Sequence, residues 1–248
     1  MGAATASETA AGTDARHIHG DDGLGGAGLA CSTLIRQHAS EKIISDEIRA
    51  APNQVTILCM GPLTNVARAF QREPGLIELV GQIVMVGGAV NCIGNATPTA
   101  EFNIYCDPES ARAVFRAPVT KTLVPLDVTT RVPFDFGFVN HLPAETTKAG
   151  RILHHVLPYL CRVYRQTLGM EVFYLPEVIG LVALTNPELF ETMEMQGDVE
   201  VLGELTVGTT VFDRRPTYRG PRNMDVAKDL DVAAVTDCIL RGLAQAGG

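Results

Sequence analysis

Gln54-Val55-Thr56-Ile57-Leu58-Cys59-Met60-Gly61-Pro62 is the stretch that decides the fold. Val55 to Met60 is apolar on both alternating faces except at Thr56, the pattern of a strand covered on both sides. Gly61-Pro62 stops it, and Leu63 to Arg72 continues at helical spacing, with Thr64 or Asn65 placed near the helix start. A buried strand feeding directly into a helix is the first half of a βαβ unit. The same grammar recurs downstream. Ile83-Val84-Met85-Val86 is a second buried strand, stopped by Gly87-Gly88. Asp107-Pro108 opens a helix through Phe115, with the aspartate as cap and the proline in the first turn. Thr120 to Leu126 is a third strand. Strands alternating with helices predict an α/β fold with an open, mostly parallel, Rossmann-like sheet flanked by helices.

The flanks add helices. Gly25 to Ala50 is helix-compatible, with Leu34, Ile35, Ile43, Ile44 and Ile48 at helical spacing. Pro143 to Leu168 and Pro176 to Leu184 also read as helical, and a closing helix spans Asp231 to Ala244. Val199-Glu200-Val201 and Thr209 to Phe212 predict a hairpin added antiparallel at the sheet edge. No repeat and no Pro- or Ser-rich linker divides the 248 residues, so residues 1–248 are expected to form a single domain.

Composition narrows the function classes. With 46% hydrophobic and 19% charged residues the chain is globular. Its 28 acidic and 20 basic residues give a net charge of −8, and Trp is absent. Nucleic acid is therefore not an expected partner; a small neutral ligand or a bound cation suits this balance better. No apolar run reaches about 18 residues, so no membrane span is expected. Six cysteines, at 31, 59, 92, 106, 161 and 238, form no CxxC pair. They read as free thiols in a reducing compartment rather than as a zinc or disulfide framework, and a cytoplasmic protein is expected.

In open α/β sheets ligands bind beyond the carboxyl ends of the strands. The segments there are Met60 to Asn65, Gly87 to Ala89 with Gly94 to Asn103, and Asp127 to Thr130. His17 to Gly26 precedes the first strand. Asn, Glu, Asp and His without Lys or Arg suit a polyhydroxyl ligand. Glu101 and Asn103, read as i, i+2 in an extended loop, face the same side. Asp107 reads as a helix cap, His154-His155 as packing residues, and Gly20 to Gly26 is no phosphate loop because Asp21 and Asp22 would repel phosphate.

Taken in order, several strings resemble the inosine–uridine preferring nucleoside hydrolases: His19-Gly20-Asp21-Asp22-Gly23-Leu24, Gly61-Pro62-Leu63-Thr64-Asn65, Val86-Gly87-Gly88-Ala89 and Gly94-Asn95. Ala100-Glu101-Phe102-Asn103-Ile104-Tyr105, Pro125-Leu126-Asp127-Val128-Thr129 and Gly208 through Asp213 complete the series. The resemblance implies hydrolysis of the N-glycosidic bond of ribonucleosides to base and ribose, with Ca²⁺ holding a water and the ribose hydroxyls, in a homo-oligomer. It implies that Glu101, Asn103 and Asn95 contact the sugar, that Val86 lines the pocket, and that His19 lies beside it. Met60 stands where the family uses a backbone carbonyl on Ca²⁺.

Two departures accompany the resemblance. The family's opening Asp-x-Asp-x-x-x-Asp-Asp, which supplies most Ca²⁺ ligands and the catalytic base, has no counterpart, so the expected sheet lacks one or two N-terminal strand units. A central gap of that kind would expose Val55 to Leu58 and Ile83 to Val86. Where many members have His-Asp, this chain has Pro176-Glu177, which leaves Glu177 as the second candidate Ca²⁺ ligand. The chain as written is expected to be inactive or, as the alternative, a nucleoside-binding or protein-interaction descendant.

Overall fold

The computed structural model describes residues 2–3, 14–29 and 38–246. Five strands form the main sheet: β3 (Thr56–Cys59), β4 (Gln82–Val86), β5 (Lys121–Val124), β9 (Met224–Leu230) and β6 (Phe190–Met195), in that order across the sheet. β3, β4, β5 and β9 are parallel, and β6 runs antiparallel along β9 with a register shift between Glu191 and Thr192. Before them, β1 (Gly2–Ala3) pairs in parallel with β2 (His38–Ala39). β7 (Gly197–Val199) and β8 (Thr210–Phe212) make a separate antiparallel pair.

Alternation along the strands sorts the core into two layers. Ile83, Met85, Leu123 and Val226 point to one face. There they meet α2 (Ser40–Ala50), α3 (Thr64–Arg72) and α5 (Pro108–Arg116) through Ile48, Phe70 and Phe115. Val84, Val124 and Ala227 point to the other. They meet α7 (Lys148–Thr167), α8 (Pro176–Thr185) and α9 (Val232–Gln245) through Leu160, Ile179 and Ile239. The short helices α1 (Arg16–His19), α4 (Phe102–Cys106) and α6 (Leu126–Thr129) lie in the connections. No helix among the described residues is long and apolar enough to cross a membrane.

Several expectations need correction. The ladder from β3 to β6 has no interior gap: β4 sits between β3 and β5, and Ile83 to Val86 is fully buried. Of these two runs only β3 lies at an edge, with Thr56 exposed and Ile57 and Leu58 half-buried. The predicted hairpin exists one or two residues early on its first strand, but as its own small sheet. The antiparallel edge strand is β6, and neither it nor β9 carries a strand signal in the sequence. β6 has four successive exposed residues, and β9 carries Asp225, Lys228 and Asp229, so neither shows an apolar run. The helix expected over Gly25 to Ala50 occupies only Ser40–Ala50. Gly25 to Leu29 is irregular, and Leu34 and Ile35 fall outside the described residues.

Helix caps tie the layers together. Asp107 caps α5 by accepting from the Ser110 N–H at 3.1 Å, as its sequence position predicts. It also accepts from the Thr64 hydroxyl at 2.5 Å, so the first residue of α3 is bound to the cap of α5. Thr64 therefore serves a neighbouring helix rather than capping its own, whose N-cap is Leu63. Lys121 is a charged residue inside the sheet, only 2% exposed. Its ammonium donates to the carbonyls of Ala117 at 2.6 Å and Val119 at 3.1 Å, just past the end of α5.

Burial pulls the Lys121 ammonium down to about 8 from an ordinary 10.5. A buried cation with a lowered pKa burdens the folded state while it stays protonated. Stability from this group is therefore lowest below pH 8 and grows as the pH rises through about 8 toward 10.5. Denaturant unfolding across that range is expected to show the stability of the native protein rising relative to Lys121→Met. A flat difference would show that folding does not lower the pKa of Lys121.

Candidate functional site

The site begins where β4 ends. After Val86 the chain turns through Gly87 at φ +150° and Gly88 at φ +76°, a conformation that side chains disfavour. Space demands glycine as well: a Cβ on Gly87 would stand 2.8 Å from Glu101 Oε2, and one on Gly88 would stand 3.0 Å from Thr210 Cγ2.

Nearly every backbone group of this turn is taken by a distant segment. Gly87 N–H continues the ladder to the Val124 carbonyl at 3.2 Å. Gly88 N–H donates to Glu101 Oε2 at 3.0 Å, and the Gly88 carbonyl accepts from Leu126 N–H at 2.9 Å. Ala89 N–H donates to Thr210 Oγ1 at 2.9 Å, while that hydroxyl donates to the Ala89 carbonyl at 2.6 Å. Val90 and Asn91 N–H groups donate to the Asp127 carboxylate at 2.8 and 2.7 Å, and the Cys92 thiol lies 3.3 Å from it. The carboxyl end of β4 is thus a stiff rim, held from α4, α6 and β8.

Glu101 and Asn103 meet at this rim, but not as an extended i, i+2 pair. Glu101 is the N-cap of α4, accepting from Ile104 N–H at 3.2 Å, and Asn103 lies in that helix's first turn. Asn103 Nδ2 donates to the Val86 carbonyl at 3.1 Å. Both side chains are buried, at 5% and 8% exposure. Burial pushes the Glu101 carboxyl above its ordinary range. The N–H groups of Asn103, Gly88 and Ile104 pull against that shift, and the Glu177 carboxylate adds a smaller upward push.

Glu177 arrives from the other layer. It stands in the first turn of α8, and one turn later Gly180 packs on the rim, where an added Cβ would come 2.1 Å from Val86 Cγ2. Val86, Glu101, Asn103 and Glu177 therefore share one end of β4. Asn95 is exposed, and its Oδ1 accepts from Phe102 N–H at 2.8 Å, closing the loop that leads into α4. Met60, just beyond β3, is 52% exposed. His19 is also exposed, at the end of α1, and the loop after it docks on α7, where His155 Nε2 lies 3.1 Å from the Gly25 carbonyl. No hydrogen bond among the described residues joins His19 to Glu101 or Asn103. His154 binds the Pro143 carbonyl at 3.1 Å, the packing role expected of it.

Ca²⁺ takes six to eight oxygens. The rim offers the Glu177 carboxylate and the Met60 carbonyl, and the Asp127 oxygens already serve backbone N–H groups. Among the described residues no group of three or more His, Cys, Asp or Glu is placed to hold a metal. The described donors do not by themselves fit a Ca²⁺ site.

Sequence reasoning missed Thr210, and it gave Asp127 a place but no role. Thr210 lies 121 positions from the Ala89 it fastens, so no local pattern reveals the contact. Two surface cavities, of about 410 and 230 Å³, lie elsewhere, lined by residues such as Arg219 and Arg222 in one and Phe70 and Ile77 in the other.

The chain is similar to known proteins along most of its length. It is 32% identical over 240 residues to the non-specific ribonucleoside hydrolase RihC of Escherichia coli O1:K1, covering 94% of this chain and 75% of that protein. Its fold matches a purine-preferring ribonucleoside hydrolase from Gardnerella vaginalis with a TM-score of 0.89 at 25% identity, over 99% of this chain and 79% of the other. A plant nucleoside hydrolase, PpNRh1, matches with a TM-score of 0.84 at 26% identity, over 94% and 75% of the two chains. Residues 1–237 match the inosine-uridine preferring nucleoside hydrolase family as a whole, and the chain belongs to that family.

Proposed function

We propose that the rim at the end of β4 is a ribonucleoside site of the N-ribohydrolase type, in which Glu101 and Asn103 engage ribose hydroxyls. The observation that carries this reading is the convergence of these two buried side chains on Val86 and Gly88, with the Glu177 carboxylate opposite. Buried polar groups already held by backbone partners need little reordering to receive a sugar. Asn95, at the loop leading into α4, is assigned to the same sugar, and Val86 to the wall of the pocket. His19, the last residue of α1, is assigned a place beside the pocket.

The chemistry asked of this rim is cleavage of the bond between anomeric carbon and base, with positive charge growing on the ribose ring. Carboxylates beside the ring stabilise that charge, and the Glu101 and Glu177 carboxylates supply it here. Ca²⁺ would add an acidified water and a grip on the hydroxyls, with Met60 and Glu177 as the described candidates for its ligands. No step is assigned to it, because two donors do not make the site. No described residue is assigned to the activation of water, and Pro176 offers no proton to a leaving base. A nucleoside-binding protein without turnover is the second reading, favoured by that same donor shortage.

The edge strands β3 and β6 support assembly as a homo-oligomer. The free thiols of Cys59, Cys92, Cys106, Cys161 and Cys238 support a reducing, cytoplasmic setting.

Two measurements test this site. In calorimetric titration with inosine, Glu101→Gln and Asn103→Ala are each expected to weaken binding by about 1.5–3 kcal/mol, the cost of losing a hydrogen bond to a charged or buried partner. His154→Ala is expected to leave affinity unchanged, and equal losses at all three positions would refute the assignment. Calcium titration is expected to give an apparent Kd on the order of millimolar or weaker, with negligible hydrolysis of inosine and uridine. Rapid turnover by the homogeneous chain would overturn the donor argument.

A further inference from the structure

The larger cavity, of about 410 Å³, belongs to a feature that neither the fold nor the nucleoside rim uses. Between β8 and β9 the chain reads Asp213-Arg214-Arg215-Pro216-Thr217-Tyr218-Arg219-Gly220-Pro221-Arg222-Asn223. This is a local concentration of arginine in a chain of net charge −8.

The loop is ordered from within. Arg219 Nη1 donates to the carbonyls of Pro216 at 2.8 Å and Tyr218 at 3.0 Å. The Tyr218 hydroxyl donates to the Pro221 carbonyl at 2.9 Å, and a Cβ on Gly220 would come 2.3 Å from that hydroxyl oxygen. Tyr218 therefore packs where only glycine fits, and Arg219 is held by backbone rather than by an acid.

The guanidinium groups are unequally used. Arg215 is paired with Asp213 through both its Nε and Nη2. Arg222 reaches Glu194 only at 3.7 Å, and Arg214 is exposed with no partner among the described residues. Arg219 and Arg222 line the cavity together with Tyr218, Gly220 and Glu194. Because β9 runs parallel to β5, its first residues lie at the end of the sheet opposite the carboxyl ends that carry the nucleoside rim.

We propose that this cavity is a phosphate site, in which Arg219 and Arg222 take the phosphate group of a small phosphomonoester. Guanidinium forks match phosphate oxygens two at a time, and the backbone carbonyls that hold Arg219 set its fork before a ligand arrives. Glu194 is the internal competitor: its carboxylate draws Arg222 and repels an anion. The site is independent of Glu101 and Asn103.

Calorimetry of the full chain at low ionic strength, with inorganic phosphate as the probe and chloride as the control, tests this. Saturable phosphate binding is expected, weakened about tenfold or more by Arg219→Ala and by Arg222→Ala. Glu194→Gln is expected to tighten binding several-fold, which a loop of merely structural arginines would not do. Glycerol phosphate, a small phosphomonoester without a ribose, is expected to lose affinity in the same two arginine variants and to keep it in His154→Ala. Phosphate no tighter than chloride, or affinity untouched in both arginine variants with unchanged thermal unfolding, would overturn the proposal. So would an RNA oligonucleotide that binds far more tightly than phosphate with a steep salt dependence, since that marks a nucleic-acid surface instead.

Discussion

A single amide, the N–H of Gly88, fixes the geometry on which the rest depends. It points at Glu101 Oε2, and this bond decides where α4 starts, because the same carboxylate oxygen caps that helix at Ile104. With α4 placed, Asn103 reaches the Val86 carbonyl and Asp107 follows as the cap of α5. Asp107 in turn holds Thr64, and through it α3. One buried carboxylate thus passes the position of β4 to three helices. Burying that carboxylate carries a desolvation cost, offset by three backbone donors. The loop it organises is consequently as well determined as the strand it follows.

Much of this was legible in the sequence. Apolar runs bounded by Gly-Pro and Gly-Gly mark β3 and β4, and Asp107-Pro108 marks a helix start, because these signals are local. β6 and β9 were not legible. The charged residues of β9 and the exposed glutamates of β6 are tolerated because β6 is an edge strand with one face in water. The depth at which β4 sits could not be read either. It depends on which strands lie on its two sides, a property of topology rather than of the run Ile83 to Val86.

The candidate site divides along the same line. Glu101 and Asn103 were found as residue types at a spacing, although the spacing was read in the wrong conformation. An N-cap followed by a first-turn residue also aims both side chains at one place, so the convergence survives the change from loop to helix. Thr210 and Asp127 act through partners 121 and about 36 positions away, and no window of sequence contains such a pair. The arginine loop shows the opposite failure. Its charge is plain in the sequence, yet whole-chain arithmetic hid it under an acidic surplus.

Residues 88–91 are fastened almost wholly through their own backbone, whose N–H groups donate to the side chains of Glu101, Thr210 and Asp127. The side chains of Asn91 and Ile93 are exposed and make none of the bonds that hold the turn to Glu101, Asp127 and Thr210. Substitution at these positions can therefore proceed without moving the rim, whereas an insertion or deletion of one residue would misalign the whole series of N–H donors. Variation in this lineage should accordingly accumulate there as changes of side-chain identity at constant loop length. Such a segment can change the surface it presents while the frame fastened to Glu101 and Thr210 is inherited intact.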